Sequence, residues 1–218
     1  PHRPDGIRPS EGVPSSFFCE LNRNKLGVSL NLQLDEEKKH FLKLVETSDV
    51  LIENFSPRVM GNLGLADEKL WEINPGLLIV SLSAFGQSGP YRDFIGYGPT
   101  IESMSGISYM TRYEDGEPWL PGFSVSDLGA GIHGAFALAS ALIYRHEKGS
   151  GIKVDVSQYE VACQFVENAM FAGKRKPRQA DSRAARDIVS FIEKEEVNIL
   201  SMDDGTVTLG APWSSNGW

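Results

Sequence analysis

Asp127 is the carboxylate whose place in the sequence best suits chemistry. It follows the extended stretch 122–126 (GFSVS) and opens the longest apolar helix that the sequence predicts. One role there is a helix N-cap, which Asp fills well. A second is nucleophilic. The helix dipole and nearby N–H groups favour the ionised form, and an ionised carboxylate in a sheltered site can attack an acyl group. The two roles do not conflict, and the residue pattern leaves both open. His133 lies six residues on, about 240° around the helix. That makes it a core or surface histidine rather than a partner base.

Asn54 and Phe55 stand where an apolar strand ends, the place where open α/β sheets gather ligands. They can equally be a turn Asn and a core Phe. Arg58, four residues after Asn54, either meets a phosphate or is solvated. The four histidines, His2, His40, His133 and His146, share no ligand spacing, so no metal site is expected. GxxxxGK[ST] and GxSxG are absent, which removes the P-loop and the nucleophile elbow of α/β-hydrolases.

The elements that must position these residues follow from periodicity. Alternation over 26–32 predicts a strand. Asp35 then caps an amphipathic helix over 35–47, with Glu36 and Glu37 in its first turn. The run 49–54 (DVLIEN) predicts a short apolar strand, followed by a helical stretch to about Ile73. The run 77–82 (LLIVSL) predicts another strand. Strands apolar on both faces and separated by helices point to a mainly parallel sheet covered on both sides, an α/β fold. Segment 84–99 is a long loop with four Gly and two Pro, and loops of that length are often functional. The helix from Asp127 carries an apolar stripe of Leu128, Ile132, Ala135, Phe136, Ala139, Leu142 and Ile143, and it stops at Gly149-Ser150-Gly151. Segment 152–156 predicts a strand and 161–171 a helix. The first 17 residues and 174–178 (KRKPR) read as loop and exposed connector. Two strand-like runs flank the turn Asp203-Asp204-Gly205.

Composition sets the outer limits. The 218 residues can bury a real core, and 41% are hydrophobic and 23% charged, as in an ordinary globular domain. The net charge of -8 argues against nucleic-acid binding. No uninterrupted apolar run approaches the ~18 residues that cross a bilayer, so no membrane partner is expected. Two cysteines, Cys19 and Cys163, form no disulfide framework, and a reducing cytoplasm fits. The chain begins at Pro1, which suggests a fragment or a processed product.

Six segments, in order, carry a resemblance. They are PHRPDGIRP, LNRNKLGVSLNL, DVLIENFSPRVMGNLGL, INPGLLIVSLSAFGQSGPYRD, SVSDLGAGIHGAFALASALIYR and EKGSGIKVDVSQYE. Through them the chain resembles the class III CoA-transferases, the CaiB/BaiF-type group that also contains the α-methylacyl-CoA racemases. The resemblance covers about 1–160 and weakens beyond Phe171. It implies a Rossmann-like large domain, here 1–158, a linker helix and basic connector over 159–183, and the beginning of a small domain over 184–218. It also implies an interlocked homodimer.

The resemblance further implies the chemistry. CoA would pass from an acyl-CoA donor to a carboxylic acid acceptor, with acyl-CoA as substrate and no covalently bound cofactor. Asp127 matches the family's nucleophile, which forms a mixed anhydride and then an aspartyl-CoA thioester. Asn54 and Phe55 match positions lining the CoA site, and Tyr97 matches a tyrosine near the CoA thiol. There are departures. Some members carry Arg where this chain has Asn62 and Lys where it has Ile95, and Arg58 is placed to compensate. The racemases place a His where Tyr97 stands. Racemisation needs two acid/base groups, so that change counts against a racemase. The alternatives are a racemase-like enzyme and a non-catalytic CoA-binding fragment that needs a partner chain. In the intact family the adenine-binding start and a glycine-rich loop lie outside the matched segments.

Overall fold

The structure is a computed structural model that describes residues 16–114, 116–167, 169, 202–203 and 206–209. The chain divides into two compact units, 1–43 and 44–218. In the first, α1 (Ser16–Leu21) precedes an extended segment and most of α2 (Asp35–Thr47). The expected helix 35–47 is therefore present. Its first turn holds Asp35, Glu36 and Glu37, where acids meet the positive end of the helix dipole. The expected strand over 26–32 is a correction. Alternation supplies an apolar face, but a strand also needs a partner edge. Among the described residues no ladder reaches this segment, and Leu26 and Val28 remain exposed.

The second unit is built on a sheet of order β1-β2-β3-β5-β4. Its strands are β1 (Val50–Glu53), β2 (Leu78–Ser81), β3 (Lys153–Val156), β4 (Met202–Asp203) and β5 (Thr206–Leu209). The pairs β1–β2, β2–β3 and β3–β5 are parallel, and β4–β5 is antiparallel. The expected strands 49–54 and 77–82 thus lie side by side in one parallel sheet. Parallel neighbours need a crossover, and two short helices supply it: α3 (Arg58–Asn62) and α4 (Asp67–Ile73). The strand-like runs around Asp203-Asp204-Gly205 are β4 and β5, paired into this same sheet. Segments 1–15, 174–178 and the start of the tail lie outside the described residues.

Between β2 and β3 run α5 (Gly98–Met104), α6 (Ile107–Met110) and α7 (Val125–Lys148), and α8 (Gln158–Phe165) follows β3. Two of these boundaries differ from expectation. The long loop ends two residues early, at Tyr97, because α5 starts at Gly98, and α8 begins at Gln158 because Ser157 caps it, its Oγ accepting the Glu160 N–H at 3.3 Å. The core forms where α7 and α8 cover the sheet: Ala137, Ala141 and Val161 pack on Leu78, Val80, Val154 and Val156. A second cluster joins Phe85 from the loop to Ile101, Ile107, Tyr159 and Cys163. By length and composition alone α7 could also cross a membrane. One of its faces lies in the core, whereas Ile132, Phe136 and Ile143 are exposed.

Candidate active site

Helix α7 starts at Val125, with Ser124 as its N-cap. Asp127 is therefore the third residue of the helix. Of the two roles that the residue pattern leaves open, the N-cap falls to Ser124 instead, a second correction. Ser124 makes no side-chain capping bond either. The cap comes from another helix. Glu102 of α5, only 2% exposed, accepts the Val125 N–H at 2.7 Å and the Ser126 N–H at 3.5 Å through Oε1. These are two of the backbone donors that a helix start leaves without intrahelical partners.

With the cap supplied by Glu102, the Asp127 side chain has no hydrogen bond or ion pair among the described residues and is exposed. It sits against the start of α5. A Cβ added at Gly98 would lie 3.0 Å from Asp127 Oδ2 and 2.9 Å from Ser124 Oγ. Gly98 lets the two helix starts approach this closely, and a side chain there would push the carboxylate aside. Tyr97, the residue before Gly98 and the N-cap of α5, is 75% exposed. Of the sequence-predicted residues, Asp127 thus lies against Gly98, the chain neighbour of Tyr97.

Asn54 and Phe55 are exposed at the carboxyl end of β1, where the Phe55 N–H donates to Glu53 Oε2 at 2.7 Å. Arg58 is neither free nor merely solvated. It grips Asp93 with a hydrogen bond from Nε to Oδ1 at 3.0 Å and an ion pair between Nη2 and Oδ2 at 2.6 Å. The hydrogen bond from Arg58 holds the Asp93 carboxyl below its ordinary range, and the same bond raises Arg58. Both side chains lie at the surface, so the pair adds little stability. It ties α3 to the loop that also carries Tyr97. Asn62 and Ile95, the two departures from the family pattern, are exposed.

A cleft of about 150 Å³ opens elsewhere, lined by Glu53, Met60, Asp67, Gln87 and Lys153 among others. None of the sequence-predicted site residues lines it. From one of its lining residues, Glu53, a polar row crosses the sheet, with Ser81 and Asp155 in register on the neighbouring strands. Lys153 is paired with Asp67 at 2.6 Å. Asp155 Oδ2 accepts the Gln87 N–H at 2.9 Å, while buried Oδ1 has no partner.

Burial raises the Asp155 carboxyl despite that bond from Gln87. Burial, and after it the charge of Asp155, pushes Glu160 up from 4.5 to about 8. An acid raised by folding holds its proton in the folded state where the unfolded chain has lost it. Its stabilising contribution is full below the unfolded value and is lost as pH rises towards the folded one. The melting temperature is expected to fall as pH climbs from about 5 to 8, and Glu160→Gln should flatten that slope. An unchanged slope in the Gln variant, measured by thermal unfolding across this range, would assign the effect elsewhere. Cys163, beside Glu160, is pushed up to about 12 by burial, so its thiol is a poor nucleophile.

Sequence reasoning missed Glu102 and Gly98. One signal was available: Glu102 is the only charged residue between Asp93 and Arg112. A lone charge in an uncharged, half-apolar segment must find a partner or reach water.

The family model described as "CoA-transferase family III" matches residues 1–212. The chain belongs to CoA-transferase family III. Among curated relatives it is 39% identical over 163 residues to an acetyl-CoA:oxalate CoA-transferase of Acetobacter aceti, covering 74% of this chain and 42% of that one. It is 34% identical to a succinate–glutarate CoA-transferase of Agrobacterium fabrum, over 72% of this chain and 40% of the relative. A solved CaiB/BaiF family protein from Brucella suis superposes with a TM-score of 0.68 at 32% identity, over 72% of this chain and 42% of that one. The family III chain described here spans about two fifths of the length of these relatives.

Proposed function

We propose that this chain carries the nucleophile of a CoA-transferase that moves CoA from an acyl-CoA donor to a carboxylic acid acceptor, with Asp127 as that nucleophile. The observation that carries the reading is the state of Asp127: an exposed carboxylate, without a bond of its own among the described residues, seated against Gly98. The relatives named for CoA transfer support the reaction class.

The steps follow from carboxylate chemistry. Asp127 attacks the thioester carbonyl, the C–S bond breaks, and CoA leaves as the thiolate from a mixed anhydride. The thiolate then attacks the Asp127 carbonyl. The donor acid departs as carboxylate and an aspartyl-CoA thioester remains. The acceptor carboxylate attacks that thioester, expelling the thiolate and forming a second anhydride. Attack of the thiolate on the acceptor carbonyl gives the product acyl-CoA and frees Asp127. No metal and no prosthetic group enters the balance. Asn54, Phe55 and Tyr97 line the CoA path in this reading, and Arg58 takes a phosphate by exchanging Asp93 for it. The reading includes an interlocked homodimer, a large domain over 1–158 followed by a linker and a small domain from 184, and a cytoplasmic setting.

Trapping tests it. Incubating the intact protein with acyl-CoA and hydroxylamine should convert Asp127 into its hydroxamate, found by peptide mass mapping. Millimolar CoA should also raise the melting temperature of the same protein. A hydroxamate at Glu102 or Asp115 instead of Asp127 would move the nucleophile. No label together with no thermal shift would remove CoA as the substrate.

A further inference from the structure

We infer that Glu102 is a positioning residue that caps α7 from outside and pins its first turn to α5, so holding Asp127 at Gly98; the inference rests on Asp127 being the nucleophile. The segment Ser124-Val125-Ser126-Asp127 has the spacing of a capping box. In a closed box the N-cap serine oxygen accepts the N–H of the third helical residue, and the acid at that position reaches back to the N–H of the cap. Here Ser124 is the N-cap and Asp127 the third residue, yet Ser124 makes no side-chain capping bond. Asp127 makes no bond back to Ser124.

The contacts of α5 hold this turn instead. Gly98 and Glu102 are four residues apart and share one face of the helix. That face meets the first turn of α7 at two points. Glu102 Oε1 accepts the Val125 N–H at 2.7 Å and the Ser126 N–H at 3.5 Å. Gly98 leaves the space that Asp127 Oδ2 and Ser124 Oγ fill. The Ser126 hydroxyl donates to the Gly98 carbonyl at 3.4 Å, a third and weaker link. A buried carboxylate thus satisfies two donors of the turn that carries the nucleophile, and ties that turn to α5. Without Glu102, two amides at the helix start lose their acceptor. The first turn of α7 then loses its tie to α5, and the Asp127 carboxylate leaves its place against Gly98.

The test compares Glu102→Ala with Glu102→Gln in the intact protein. A Gln amide oxygen accepts the same two N–H groups, so the cap survives without the charge. Glu102→Ala is expected to lower kcat by roughly 100-fold, the cost of misplacing a reacting group by about an ångström. KM for acyl-CoA should stay within about twofold, because Asn54, Phe55 and Tyr97 are untouched, and trapping of Asp127 by hydroxylamine should slow in step with kcat. Glu102→Gln should restore kcat to within a few-fold of wild type. A folded Ala variant with unchanged kcat, or a folded Gln variant as impaired as Ala, overturns the inference while wild-type labelling at Asp127 leaves the proposed function standing. If Glu102→Ala does not fold, the Gln variant decides alone. Absence of wild-type label at Asp127 brings down the proposed function, and this inference with it.

Discussion

Asp127→Asn is expected to leave the fold intact and to abolish CoA transfer in the intact protein. Loss of a covalent nucleophile costs on the order of four to six powers of ten in kcat. Asn has the same shape but cannot form the anhydride. The structural cost should be small for a specific reason. If Asp127 were the cap, replacing it by Ala would cost about 0.5–2 kcal/mol. In the structure the capping bonds come from Glu102, so even Asp127→Ala should melt close to wild type. The two measurements separate two meanings of one residue. Turnover near wild type in Asp127→Asn would leave Asp127 without a catalytic part. A large drop in melting temperature for Asp127→Ala would mean that it, and not Glu102, holds the helix start. Purified variants compared by initial rates and by thermal unfolding give both readings from the same preparations.

The fate of Asp127 illustrates how much the sequence could tell. That a long helix begins near it was legible, because the apolar stripe from Leu128 to Ile143 and the stop at Gly149 are local signals. So were the parallel strands β1 and β2 from their short apolar runs, although only β2 is buried throughout and Ile52 of β1 is exposed. Helix α2 was legible from its acidic first turn. What supplies the cap was not legible, since Glu102 lies 23 residues before Val125 and the pairing exists only once α5 folds against α7. The failure at 26–32 has the same character. Alternation describes one strand, whereas a strand is a property of two. The Arg58–Asp93 pair also spans distant residues, and nothing near Arg58 in the sequence distinguishes an ion-paired arginine from a solvated one. Asp127, Tyr97, Asn54 and Phe55 were named through their place in ordered motifs. Gly98, against which Asp127 lies, was passed over because a glycine in a glycine-rich loop carries no chemistry of its own.

Gly151 gives the sharpest test of the fold itself. In the sequence, Gly149-Ser150-Gly151 is a single helix stop. In the structure the two glycines do different work. Gly149 ends α7 in the left-handed region, at φ 75°, with nothing within 4 Å of an added Cβ. Gly151 is where β3 enters beside β2. Its N–H donates to the Pro75 carbonyl at 2.8 Å, and the next residue accepts the Ile79 N–H at 3.0 Å through its carbonyl. A Cβ on Gly151 would stand 2.0 Å from the Leu77 carbonyl oxygen and within 3 Å of two further Leu77 backbone atoms. No rotamer change relieves a clash with backbone, so the strands must part where β2 is fully buried. Gly149→Ala should cost about 1–2 kcal/mol, the penalty for a Cβ in left-handed backbone. Gly151→Ala should cost about 3 kcal/mol or more, the upper range for overpacking. Denaturant titration of both variants reads the difference directly. If Gly151→Ala were the milder of the two, β3 would not enter the sheet against Leu77, and the register of Ile79 with Lys153 would have to be redrawn.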